Sequence, residues 1–243
     1  MKKEKNITLV VGGTRGIGKV VSKLLSKRGD LVYTISRRKI KIGNHFSIDL
    51  ENEKKIKLLK KKIKSRKVKN LVFCQRYRGS DAKKEHIVSN LATKIIIEIL
   101  QKNFSKDASI IIVASTASKM IFQGQSPEYH FSRAALVSIS KYYSIKLGSQ
   151  GVRCNSIMPG TIIKPENKDF FTKKNPLRKL ISFISPLKKM VNATDVANLV
   201  EFLTSDKSAA ITGQNIYVDG GLSNVGQESV ARKIKNLSHP NKK

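Results

Sequence analysis

Short apolar runs alternate with longer stretches of helical period from one end of this chain to the other, and that rhythm leaves few folds open. Residues 7–11 form an unbroken apolar run that closes on Gly12-Gly13, after which residues 17–25 carry their apolar side chains at helical spacing. That is strand, tight turn, helix. Residues 31–35, 70–74, 109–114, 152–157 and 215–218 read as further short strands, separated by helical stretches at 51–64, 83–102, 129–147 and 193–203. Continuous apolar strands alternating with helices imply βαβ units and a parallel sheet buried on both faces. The predicted class is α/β, a doubly wound parallel sheet of the Rossmann type.

A chain of 243 residues has room for one large domain or two small ones. No internal repeat or low-complexity linker divides it, so residues 1–221 are read as one domain. Within it, residues 163–190 carry Pro165, Pro176 and Pro186 among lysines and aromatics, a composition that suits a mobile lid over a substrate. Residues 222–243 form a polar C-terminal tail, expected to fray.

Charge is the outlying property: 48 Lys+Arg against 17 Asp+Glu gives +31. Such an excess bears on polyanion attraction and solubility rather than on fold. One reading is a nucleic-acid or anionic-membrane partner; the other, favoured here because the lysines are spread along the whole chain, is a solvated basic surface. The densest run, residues 54–69, places Ile56, Leu58, Leu59 and Ile63 on an apolar stripe opposite its lysines and lacks the interleaved aromatics of a nucleic-acid surface. No specific nucleic acid and no membrane are expected. No apolar stretch approaches the 18 or so residues of a membrane span, and the opening Met-Lys-Lys-Glu-Lys runs into a strand without a signal pattern, so a cytoplasmic location is expected. Cys74 and Cys154 lie in apolar runs, and His45, His86, His130 and His239 are scattered, so neither a disulfide framework nor a metal site is expected.

Chemistry enters at the first turn. Gly12 and Gly16-Ile17-Gly18 stand between a strand and a helix, where glycines let backbone approach a pyrophosphate and the helix N-terminus donates free N–H groups to it. At the end of the second strand, where an NAD site places an acid on the ribose 2′-hydroxyl, this chain has Ser36-Arg37-Arg38. Guanidinium forks fit a 2′-phosphate, and Arg15 adds a charge from the glycine turn. The expected cofactor is NADP(H).

From Ile7 to Gly221 the chain resembles the classical short-chain dehydrogenase/reductase family. Gly12-Gly13-Thr14-Arg15-Gly16-Ile17-Gly18 is similar to its cofactor loop, Ile48-Asp49-Leu50 to its adenine contact, and Asn90 to its relay-water asparagine. Ile111 to Ser115 is similar to the strand ending in the catalytic Ser, and Tyr129 to Leu147 to the catalytic helix. Val152 to Gly160 is similar to the nicotinamide segment, while Ile211 to Gln214 and Val218 to Gly221 are similar to the C-terminal signature. The resemblance implies Tyr129 as proton donor to a carbonyl oxygen and Ser115 as oxyanion donor. Thr116 remains the alternative, since the family's Ser stands thirteen residues before its Tyr. It also implies that Gly12, Thr14, Arg15, Gly16, Ile17, Gly18, Arg37, Arg38, Asp49, Leu50, Pro159, Gly160 and Ile162 hold the cofactor.

Three places depart from the family pattern. Four residues after Tyr129 stands Arg133 in place of the lysine that binds the nicotinamide ribose and eases proton loss from the Tyr; it is expected one helical turn away, facing the ribose. Arg133→Lys is expected to keep or raise activity. The pair Tyr142 and Lys146 repeats the family spacing but falls out of register. At the fourth strand's end, Phe73-Cys74-Gln75-Arg76 replaces Asn-Asn-Ala-Gly, so Arg76-Tyr77-Arg78 either favours an anionic substrate or lies in a solvated loop. Lys164 stands near the family's Thr. The resemblance implies a homo-oligomeric oxidoreductase, a dimer or tetramer, acting on a small carbonyl or alcohol. The alternative is a silent NADP-binding scaffold.

Overall fold

The computed structural model describes residues 7–38, 40 and 43–237; the opening Met-Lys-Lys-Glu-Lys and His239 lie outside the described residues. Seven strands, β1 (Ile7–Val11), β2 (Leu31–Ser36), β3 (Asn44–Ser47), β4 (Val68–Phe73), β5 (Phe104–Val113), β6 (Arg153–Pro159) and β7 (Asn215–Val218), form one sheet in the order β3-β2-β1-β4-β5-β6-β7. Every pairing is parallel. Parallel neighbours need crossovers, most of them carried by α1 (Gly16–Arg28), α2 (Glu53–Ile63), α3 (Ala82–His86), α4 (Ala92–Leu100), α5 (Pro127–Gly148), α6 (Pro176–Ile184) and α7 (Ala193–Leu203), while α8 (Gln227–Lys235) follows the last strand.

Alternation along each strand divides the core in two. Leu9 and Val11 of β1, Leu71 and Phe73 of β4, and Ile110 and Ile112 of β5 pack with α2, α4 and α5. Val10, Val72 and Ile111, the residues between them, pack with α1 and α7. Both faces are therefore apolar, which is why the strands read as continuous runs. One polar cluster pins the amino ends of β1 and β4 to α1: Asp30 accepts from Thr8 Oγ1 at 2.5 Å and Asn70 Nδ2 at 3.2 Å, and pairs with Arg28 at 2.7 Å. The order reverses between β1 and β4, and in such sheets ligands sit beyond the strands' carboxyl ends at that point.

Five local features differ from expectation. The edge strand β3 has no apolar run, and the stretch expected as one helix over 83–102 is broken by a π-helical turn, Ile87–Leu91, between α3 and α4. Segment 163–190 holds α6, and the tail beyond Leu222 holds α8, whose Lys233 Nζ donates to the Ile184 carbonyl at the end of α6 at 3.1 Å. On α2, Leu58 is 45% exposed, so Ile56, Leu59 and Ile63 alone make its buried stripe, and the lysine-dense run continues past the helix until Val68 and Lys69 open β4.

Candidate active site

Two adjoining cavities lie at the carboxyl ends of the strands, one of about 250 Å³ along the glycine turn and one of about 230 Å³ beneath α5. Gly12, Thr14, Arg15, Gly16, Ile17, Arg37, Arg38, Asp49 and Leu50 all line the first. Gly12 holds φ +74, in the left-handed region that favours glycine, and a Cβ there would stand 2.7 Å from the Gln75 amide nitrogen. A Cβ on Gly18, which lines neither cavity, would collide with the Gly12 carbonyl. These glycines fold the turn onto itself and leave the N-terminus of α1 bare: Arg15, at the cap position, makes no side-chain cap, and no acid stands in the first turn.

A carboxylate from segment 163–190 meets that helix end. Gly16 N–H donates to Glu166 Oε1 at 2.5 Å. Burial pushes the Glu166 carboxyl up, but the Gly16 N–H, a bond to its own backbone and the charges of Arg78 and Lys164 outweigh it and hold the group below the usual range. Lys164, half-buried against both cavities, is pushed down by burial and by Arg76 and Arg78, with Glu166 opposing. The Lys164 N–H donates to Asn167 Oδ1 at 2.6 Å, fixing the turn that aims Glu166. At the far end of the groove Arg37 pairs with Glu51 at 3.2 Å across an exposed surface, and Arg38 offers its carbonyl to His45 Nε2 at 2.6 Å.

The fit to a dinucleotide follows from these contacts. The glycine cradle, the helix end left without a cap from its own sequence, and the arginines suit a phosphorylated adenosine moiety, and Glu166 shows that an anion is accepted where a pyrophosphate would sit. Glu166 and that pyrophosphate would compete for one N–H.

The second cavity brings Ser115, Thr116, Tyr129, Arg133, Pro159, Gly160 and Ile162 together. Ser115, just past β5, accepts from the Ala117 N–H at 3.1 Å and so caps a short turn; Thr116 Oγ1 is buried without a hydrogen-bond partner among the described residues. Tyr129 stands in the first turn of α5, its N–H bonded to Ser126 Oγ at 3.3 Å. Two guanidinium groups flank its ring: Arg76 Cζ lies 4.6 Å from the centroid and Arg133 Cζ 5.0 Å. Arg76 is held by Gln125 Oε1 at 2.7 Å. Cys74 also lines this space, with burial pushing its thiol up to about 12, so it stays protonated.

Arg133 shares a turn with Tyr129 as expected, yet its donors point to protein. Nη2 donates to Glu85 Oε1 at 2.8 Å and to Ser89 Oγ at 2.6 Å, and Nε to Ser132 Oγ at 3.2 Å. Asn90, in the π-helical turn, lines neither cavity; its Nδ2 donates to the Ser132 carbonyl at 2.9 Å. Gln75 is buried, donates to Thr93 Oγ1 at 2.8 Å, and leaves Oε1 unpartnered at the junction of the two cavities. The out-of-register Tyr142 lies exposed near the far end of α5 with Lys146 over its ring at 5.5 Å. Sequence reasoning missed Glu85, Gln75 as an orphaned acceptor, and Glu166. No local signal marked Glu85 or Glu166, since each bonds a residue far along the chain.

Comparison with known proteins was informative at three levels. The sequence profile of a family described as enoyl-(acyl carrier protein) reductase matches residues 80–223. A 3-oxoacyl-[acyl-carrier-protein] reductase of Buchnera aphidicola subsp. Schizaphis graminum is 28% identical over 91% of this chain and 99% of its own length. Among solved structures, Thermoplasma acidophilum aldohexose dehydrogenase superposes with a TM-score of 0.82 at 20% identity, covering 98% of each chain. The protein ElxO, solved with NADP bound, superposes with a TM-score of 0.81 at 22% identity, over 91% of this chain and 100% of its own. At those identities the structural likeness speaks for the fold.

Proposed function

The chain belongs to the classical short-chain dehydrogenase/reductase family, and on that premise we propose that it is an NADP(H)-dependent oxidoreductase acting on a carbonyl compound or the matching secondary alcohol. The observation that carries this reading is the convergence of Tyr129, Ser115 and the Pro159-Gly160 segment on one cavity adjoining the glycine groove. Bound NADPH would supply the hydride. Tyr129 donates its proton to the carbonyl oxygen, and Ser115, or alternatively Thr116, donates a hydrogen bond to the oxyanion as charge develops. Asn90 fixes the turn of α5 that carries Tyr129, through the Ser132 carbonyl.

Arg15, Arg37 and Arg38 on the groove support the phosphorylated cofactor, as does the NADP found in ElxO. Arg76 and Lys164 on the catalytic cavity support an anionic substrate, such as an acidic sugar or an acyl thioester on an anionic carrier. The acyl-carrier reductase among its relatives acts, by its name, on the second of these classes, whereas the aldohexose dehydrogenase among its structural neighbours acts on a neutral sugar. On the outer face of α5, Phe131 is 69% and Ile145 84% exposed, which supports a homo-oligomer. No helix among the described residues is long and apolar enough to cross a membrane, and the working location is read as the cytoplasm. Residues 1–221 act as one catalytic unit in this reading, with 163–190 closing over the substrate.

A second reading, a silent NADP-binding scaffold, draws on Glu166 at the helix end and on the pairing of Arg133 with Glu85. NADPH oxidation, followed by absorbance with a panel of neutral and acidic carbonyl compounds, separates them. Turnover with at least one acidic member is the expected result. NADPH binding without turnover across the panel supports the scaffold.

A further inference from the structure

Glu85 takes no part in the mechanism above, yet it is the most heavily bonded buried carboxylate near Tyr129. Its Oε1 accepts from Ser89 Oγ at 2.7 Å, Ser132 Oγ at 2.6 Å and Arg133 Nη2 at 2.8 Å. It is 7% exposed and Arg133 2% exposed, so neither charge could be tolerated there without the other. The bonds are one-sided. They engage Nε and Nη2 of the guanidinium and leave Nη1, while its Cζ stands over the Tyr129 ring, 5.0 Å from the centroid.

An arginine can do both at once because its charge is spread over a rigid plane with an edge and a face. A lysine cannot. Its ammonium is a compact point charge on a flexible stem, and with Glu85 in reach it would pair with that carboxylate and leave the ring. Resting on the reading of Tyr129 as proton donor, we propose that Glu85 is a positioning residue that decides which cation works at position 133. With Glu85 present, arginine serves Tyr129; with Glu85 neutralised, lysine would be free to serve both Tyr129 and a bound ribose. The family's lysine therefore cannot be restored by one substitution, which revises the expectation that Arg133→Lys alone keeps or raises activity.

The test is a cycle of four proteins, the unmodified chain, E85Q, R133K and E85Q/R133K, read by kcat and KM on an active carbonyl compound, by NADPH fluorescence titration and by thermal melting. R133K alone should lower kcat at least about tenfold with little change in KM, and the double variant should recover most of that loss. The double variant should also bind NADPH at least about threefold more tightly than R133K, the worth of one hydrogen bond regained. A merely structural pair would behave otherwise, each variant losing activity in step with its melting temperature. The proposal is overturned if R133K matches or exceeds the unmodified kcat, or if the double variant is no better than R133K in either readout. Should no protein of the four turn over any carbonyl compound, the oxidoreductase reading fails, while the NADPH titration still decides for or against Glu85. If E85Q does not fold on its own, E85Q/R133K, in which carboxylate and guanidinium are replaced together, is compared with R133K alone in both readouts, and equal values there overturn the proposal just the same.

Discussion

The two cavities are built on different principles. Around the glycine turn the working groups are backbone N–H donors, positive-φ glycines and exposed arginines, each close in sequence to its neighbours. Beneath α5 they are buried side chains joined across long separations: Glu85 reaches Arg133 over 48 residues, and Asn90 reaches Ser132 over 42. A backbone site survives heavy change of surface composition, which is how a chain of net charge +31 keeps a recognisable cofactor turn. A side-chain network can be rewired by two substitutions.

The largest expected effect tests the network side. Tyr129→Phe should cut turnover by about 10²- to 10⁴-fold, the range for a lost proton donor, and leave the NADPH dissociation constant nearly unchanged. An equal loss in binding would mean the two cavities are not separable. Next, Glu85→Ala leaves Arg133 buried without its partner and should cost about 3–5 kcal/mol in denaturant unfolding. On the glycine side, Arg37→Asp should erase a preference for NADPH over NADH worth about 1–3 kcal/mol, since one charge-assisted contact is lost. Comparable titrations of both cofactors on the unmodified protein check it, and equal dissociation constants there would remove the arginine argument. The exposed Arg37–Glu51 pair contributes little against this.

The smallest effect crosses between regions. Glu166→Ala should tighten NADPH binding by about fivefold in titrations near pH 7, since one hydrogen-bonded competitor of the pyrophosphate is removed. The pH dependence follows from the depressed Glu166 carboxyl. Its contact with Gly16 is fully formed above the ordinary range for a glutamate, about 4.3, and fades only as pH falls below it. Between pH 5 and 8 the difference between Glu166→Ala and the unmodified protein should therefore be flat, and a slope there would assign the effect to another group.

Much of the fold was legible because both faces of the sheet are covered. The apolar runs at Ile7–Val11 and Asn215–Val218 coincide with strands, and the glycine turn falls where its spacing requires. The edge strand Asn44–Ser47 was not legible: it has solvent on one side and only Phe46, stacked on Tyr33 at 5.0 Å, to mark it. The π-helical turn Ile87–Leu91 escaped too, since one widened turn leaves the helical period nearly intact while it carries Asn90 towards Ser132. In the candidate site, Tyr129 and the glycines could be read from motif spacing. Glu85 and Glu166 could not, because each takes its meaning from a residue distant in the chain.

In the proposed reading the single N–H of Gly16 ties two binding events together. If a dinucleotide takes that N–H from Glu166, occupancy of the groove and displacement of the segment carrying Glu166 would be reciprocally linked, each shifting the other's equilibrium by the same factor. A substrate that holds that segment away from α1 would raise the affinity for dinucleotide by as much as dinucleotide raises the affinity for it. One hydrogen bond would thus make the two binding events cooperative without any movement of the sheet.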